Sequence, residues 1–153
     1  MKLDVILVPV DFSDVTQSVY TAAGKLAAKV GAKVVVLNVT EPEMDYVGMA
    51  PPQVFASADE NIQKAAESSL IEAAEFFTQL GVKSETIHVM GSVLPTILEE
   101  AKKRDVGMIV LGSHGHGAIY SLLVGSIAEG VMRHAKVPVL VVPDLRSGSK
   151  VKE

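Results

Sequence analysis

The sequence predicts an α/β fold: a single-domain, doubly wound, five-stranded parallel sheet with helices on both faces. Two observations carry this. Short apolar runs alternate with amphipathic stretches of helical spacing along most of the chain, which is the pattern of βαβ units. Four of the five apolar runs are β-branched and almost continuously apolar, as strands covered on both faces must be. A length of 153 residues suits one compact domain with a real core and is too short for two. The expected domain is 1–143, followed by a polar tail, 144–153.

The first strand is expected at 5–10, then 33–39, 85–90, 106–111 and 138–142. Between the first two, Val15, Val19, Ala22, Ala23, Leu26, Ala27 and Val30 recur at helical spacing, and Gly31 supplies a stop. A longer stripe from Ile62 through Leu70, Ala73 and Phe77 to Leu80 predicts the longest helix, ended by Gly81. Val93, Leu94, Ile97, Leu98 and Ala101 make the third helix. It is closed by Lys102, Lys103 and Arg104, a basic run suited to the negative end of a helix dipole and read as a solvated face. The fourth starts near Ser126 and stops before Pro138. The segment 41–58 holds Pro42, Gly48, Pro51 and Pro52 without a period and reads as a long surface loop, in which Met44, Met49 and Phe55 cover the base of a ligand, pack at a subunit contact or plug the core.

Composition narrows the function classes. Hydrophobic residues make up 48% and charged residues 21%, an ordinary globular balance. A net charge of −4 argues against nucleic acid as a partner, because a surface that neutralises a phosphate backbone is basic. With no cysteine, disulfides, thiolate metal sites and thiol nucleophiles are excluded, and a cytoplasmic location is expected. No run approaches the ~18 apolar residues of a membrane span, so no membrane association is expected.

The densest functional signal is Gly112-Ser113-His114-Gly115-His116-Gly117, directly after a predicted strand, followed by Gly125-Ser126 at the start of a predicted helix. Open parallel sheets bind ligands beyond the carboxyl ends of their strands, and a helix amino terminus offers unpaired N–H groups and partial positive charge. Glycines let that backbone approach an anion closely. Two other phosphate motifs do not fit. The chain has no Gly-Lys-Ser or Gly-Lys-Thr for a P-loop, and the first strand's turn, Pro9-Val10-Asp11-Phe12-Ser13, lacks the glycines of a dinucleotide fingerprint.

Three blocks in order resemble the universal stress protein family. The spacing Gly112-x2-Gly115-x9-Gly125-Ser126 matches the Gly-x2-Gly-x9-Gly-[Ser/Thr] motif of its ATP-binding members. Ile6-Leu7-Val8-Pro9-Val10-Asp11-Phe12-Ser13 is similar to the family's first strand and turn, and Pro138-Val139-Leu140-Val141-Val142 to its closing strand. The resemblance implies a flavodoxin-like, adenine-nucleotide-binding type of sheet with strand order 3-2-1-4-5. It also implies a homodimer through strand 138–142, and ATP, with or without Mg2+, as ligand. The chain departs from the family pattern at His116, Gly117 and Gly130.

Single residues carry competing readings. Asp11 either caps the first helix or accepts hydrogen bonds from ribose hydroxyls, since a carboxylate near phosphates would repel them. Ser126 and Glu129 spell a capping box, yet the N–H groups of Ser126 and Ile127 suit a phosphate. His114 and His116 lack a third metal ligand and so are read as flanking the phosphates or facing solvent. Pro9 and Val10 are counted with the nucleotide-binding residues, and the resemblance adds the backbone of Val39 as reader of an adenine edge. The leading function is an ATP-binding stress-response regulatory protein. A slow ATPase or phosphoryl-transfer enzyme is the alternative, although only Asp11, Glu129 and the two histidines are available to serve it. A flavodoxin-like electron carrier ranks last, because the chain has no Trp and only three Tyr to stack on a flavin.

Overall fold

The computed structural model describes residues 2–42, 52–114 and 124–144. Its elements alternate along the chain: β1 (Val5–Val10), α1 (Thr16–Val30), β2 (Lys33–Thr40), α2 (Pro52–Gln79), β3 (Ser84–Met90), α3 (Val93–Lys103), β4 (Met108–Gly112), α4 (Ser126–His134) and β5 (Val139–Val142). All strand pairs are parallel, in the order β3-β2-β1-β4-β5. The chain winds from β1 outward to β3, then returns to the other side of β1. The winding therefore reverses between β1 and β4.

Alternation along the strands divides the core in two. Ile6 and Val8 point into a cluster with Val19, Ala23 and Ala27 of α1 and Leu70, Ala73 and Phe77 of α2. Leu7, between them, points the other way, with Ile97 and Ala101 of α3 and Ala128 and Val131 of α4. Both faces of β1, β2 and β4 are covered, which is why these strands read as almost continuous apolar runs. Each fully buried Val, Leu or Ile contributes about 1.5–3 kcal/mol. Gly31 stops α1 in the left-handed region, at φ 73°, with its N–H on the Ala27 carbonyl.

Two expectations need correction. The helix expected from Ile62 begins ten residues earlier, at Pro52, inside the segment read as a loop. The proline is the cause of the misreading: it breaks a helix interior but is favoured at the first helical position, where its missing N–H has no intrahelical partner to lose. Phe55 is thus helical, whereas Met44 and Met49 lie outside the described residues. The basic run after α3 is also not merely solvated, since Arg104 bonds Glu100 at 2.8 Å and Glu85 at 2.7 Å. Among the described residues no helix is long and apolar enough to cross a membrane.

Candidate functional site

The carboxyl ends of β2, β1 and β4 stand side by side, so Val39, Asp11 and Ser113 follow one another along one edge of the sheet. Neighbouring strands are about 4.8 Å apart, giving an edge of about 10 Å from Val39 to Ser113. This edge spans the point where the winding reverses, the usual ligand crevice of an open α/β sheet.

Pro9 and Val10 end β1, both half-buried. Asp11 is exposed, and its Oδ1 accepts the Ser13 N–H at 3.0 Å. That bond shapes the β1–α1 turn. It does not cap α1, which starts at Thr16 after Val15 and has no side-chain cap hydrogen bond. Between them Phe12 sits at φ 58°, a left-handed conformation that is strained for an aromatic residue and tends to occur at functional sites.

On β2 the register fixes what Val39 offers. Lys33 turns its N–H to the Asp4 carbonyl at 2.8 Å, so the odd-numbered residues of β2 direct their peptide groups toward β1. The pairing Val10↔Asn38 then aims the Val39 N–H at the Val10 carbonyl, and leaves its C=O facing the space past the end of β1. One polar residue went unnoticed in the sequence. Asn38, 5% exposed, donates from Nδ2 to the Val10 carbonyl at 2.9 Å and so fixes the ends of β1 and β2 together. Thr40 extends this chain, with its Oγ1 3.5 Å from Asn38 Oδ1 and 3.0 Å from His88 Nε2. The available signal was a lone amide closing a β-branched run.

On the other side, β4 runs into Gly112, Ser113 and His114. The Ser113 N–H reaches the Val142 carbonyl at 2.8 Å, and its carbonyl accepts the Gly125 N–H at 2.6 Å. The second bond clasps the start of α4 to the end of β4 across the intervening loop. Ser113 Oγ lies 3.0 Å from His114 Nδ1. Gly115, His116 and Gly117 lie outside the described residues.

The expected capping box is not what starts α4. The residue before its first turn is Gly125, in extended conformation (φ −67°, ψ 159°) and without a side-chain cap. Ser126 is therefore the first helical residue, and the Glu129 carboxylate accepts Arg133 Nη2 at 2.7 Å. The N–H groups of Ser126 and Ile127 belong to the turn that has no intrahelical acceptors. The other glycines differ in what holds them. A Cβ on Gly112 would meet Val15 Cγ1 at 2.5 Å, so its identity follows from packing of the β4 end against the start of α1. A Cβ on Gly125 would meet His114 Cα at 3.4 Å and the Ser113 carbonyl oxygen at 3.5 Å, ordinary contacts. Neither its backbone angles nor its described neighbours demand glycine there. Among the described residues no three His, Cys, Asp or Glu side chains gather to hold a metal ion.

Comparison with known proteins agrees with this architecture. The model of the universal stress protein family matches residues 2–143, and the chain belongs to that family. Universal stress protein YxiE of Bacillus subtilis is 29% identical over 142 residues, covering 89% of this chain and 96% of that protein. The solved universal stress protein UspA from Lactobacillus plantarum superposes with a TM-score of 0.82 at 27% identity, covering 93% of this chain and 99% of that one. A universal stress protein solved in complex with cAMP shares the fold (TM-score 0.68, 24% identity, 94% of this chain and 99% of that one). So does one from Archaeoglobus fulgidus in complex with dAMP (TM-score 0.63, 23% identity, 93% and 99%).

Proposed function

We propose that this protein binds ATP in the crevice at the reversal between β1 and β4 and acts as a nucleotide-responsive regulatory protein. In this reading the base lies against the Val39 carbonyl, the ribose against Asp11 with Pro9 and Val10 beneath it, and the phosphates along Gly112, His114, Gly115 and His116 to Gly125, Ser126 and Ile127. The observation that carries it is Gly125. This residue is a glycine where neither conformation nor described packing needs one, at the uncapped amino terminus of α4, two strands from Val39. Phosphate oxygens accept from such N–H groups and gain from the helix dipole, and a side chain at 125 would stand between them. Fold relatives that hold cAMP and dAMP favour an adenine nucleotide. Mg2+ would accompany the phosphates rather than occupy a protein cage, since it keeps several waters and takes few protein ligands. The cysteine-free composition is the ground for assigning this role to the cytoplasm.

Calorimetric titration with ATP, ADP and adenosine tests the assignment. Gly125→Val is expected to weaken ATP by at least ~2 kcal/mol, the scale of one or two charge-assisted hydrogen bonds, and to leave adenosine nearly unchanged. Asp11→Ala is expected to weaken all three alike, because its contact is with ribose. Parent-like ATP affinity in a folded Gly125→Val protein would falsify the phosphate assignment.

A further inference from the structure

We propose that the groove between α1 and α2 is a second ligand site, which takes a small organic ammonium ion carrying an apolar stem. The groove encloses about 510 Å³, within the size of small-molecule sites, and lies on the opposite face of the sheet from α3 and α4. Phe12, Ser13 and Asp14 of the β1–α1 turn belong to its lining.

Its chemistry has one sign. Asp14 from the β1–α1 turn and Glu72 and Glu75 of α2 line it, and among the described residues no lysine or arginine does. The three carboxylates are not gathered as a metal site, so a larger cation than a metal ion suits their spread. Thr16, Gln17, Ser69 and Gln79 add neutral polar groups, and aromatic rings supply the apolar part of the wall. Tyr20 and Phe76 lie 5.7 Å apart between ring centroids, tilted by 36°, and Phe12 also lines the groove. Aromatic faces attract ammonium groups and bury an apolar stem at the same time.

Two hydroxyls in the lining residues independently mark the groove as incomplete. Ser13 is 9% exposed and Tyr20 6%, yet among the described residues neither Ser13 Oγ nor the Tyr20 hydroxyl has a hydrogen-bond partner. A buried hydroxyl without a partner is unfavourable and uncommon in native proteins. Burial pushes the Tyr20 phenol far above its ordinary range, and the charge of Glu72 adds to the shift, which sets that carboxylate within electrostatic reach of the hydroxyl. An ammonium group has three N–H donors and no acceptor, matching hydroxyl oxygens beside carboxylates.

The test is an NMR titration of the full chain with phenethylammonium, using 2-phenylethanol and phenylacetate as neutral and anionic controls of the same shape. Saturable shifts at residues 13–20 and 69–79 are expected with phenethylammonium, with a Kd on the order of 1 mM. The alcohol is expected to bind about tenfold more weakly, and phenylacetate not at all. Glu72 and Glu75 are exposed, so the double variant Glu72→Gln/Glu75→Gln keeps the fold, as a thermal melt will verify, and loses about tenfold in affinity. Tyr20→Phe weakens binding without lowering the melting temperature, because it removes a hydroxyl that has no partner among the described residues. Equal binding of alcohol and ammonium, no saturation by about 10 mM, or unchanged affinity in the double variant overturns the proposal.

Discussion

Gly112 and Gly125 belong to one sequence motif, yet the space around them separates their roles. A methyl group on Gly112 would displace Val15, which is 3% exposed and packed in the α1/α2 core. Gly112→Ala is therefore expected to destabilise by about 1–3 kcal/mol, the usual effect of overpacking, read as a lower midpoint in denaturant. A methyl on Gly125 meets atoms at contact distance only. Gly125→Ala should stay within about 0.5 kcal/mol of the parent in stability while binding ATP more weakly. The opposite pattern, a destabilised protein with intact affinity, would make Gly125 a packing glycine too. Sequence spacing identified both residues and had no means to tell them apart, because what distinguishes them is Val15, a neighbour about a hundred residues away. Asn38 was missed for a similar reason: its value lies in the Val10 carbonyl, which belongs to another strand.

At the scale of elements, the amino ends of β2 and β3 and the carboxyl end of α3 are joined by ions. Glu85 accepts from Lys33 and from Arg104, which also holds Glu100 together with Lys103. The Lys33 hydrogen bond, then that of Arg104, lowers the Glu85 carboxyl, and Arg104 above all lowers Glu100. Both folded-state values thus fall below the unfolded ~4.3, so the stabilisation is present above that pH and is lost as pH falls through the lowered values. Glu85 is 37% exposed in its side chain and Glu100 only 12%, so solvent screens the former more. Arg104→Met is expected to cost about 1–2 kcal/mol at pH 7, and the gap from the parent should narrow as pH falls below the ordinary carboxylate range, read in melts at successive pH values. A gap independent of pH would mean that Arg104 acts through its apolar stem. The bonds to Glu85 were not legible in the sequence, where Lys33 lies 52 residues from it and Arg104 lies 19. Four of the strands were legible, because burial leaves mostly apolar side chains along them. The start of α2 was not, since a proline that opens a helix and one that forbids it look alike without the helix in view.

For the whole molecule, the order β3-β2-β1-β4-β5 leaves β5 at an edge, one side of its ladder paired to β4. Edge strands with apolar side chains invite pairing with another chain unless covered. The family resemblance implied a dimer through 138–142, and we propose a two-fold pairing of β5 with its copy, which buries the same patch from both subunits. The strand's two faces determine how to test it. Val139 and Val141 pack against the α3/α4 core and Val142 is buried on the other face, so a charge at 141 would disturb the fold itself. Leu140 is 38% exposed and lies between them. Leu140→Lys is expected to place like charges beside each other across the two-fold axis, and to shift sedimentation from dimer to monomer without lowering the monomer's melting temperature. Since β4 bonds to β5 through the Ser113 N–H and the Val142 carbonyl, loss of the dimer should also loosen the clasp between Ser113 and Gly125 and weaken ATP by a few-fold. A dimer that persists with Lys at 140 moves the contact to another surface, and a monomeric parent removes it altogether.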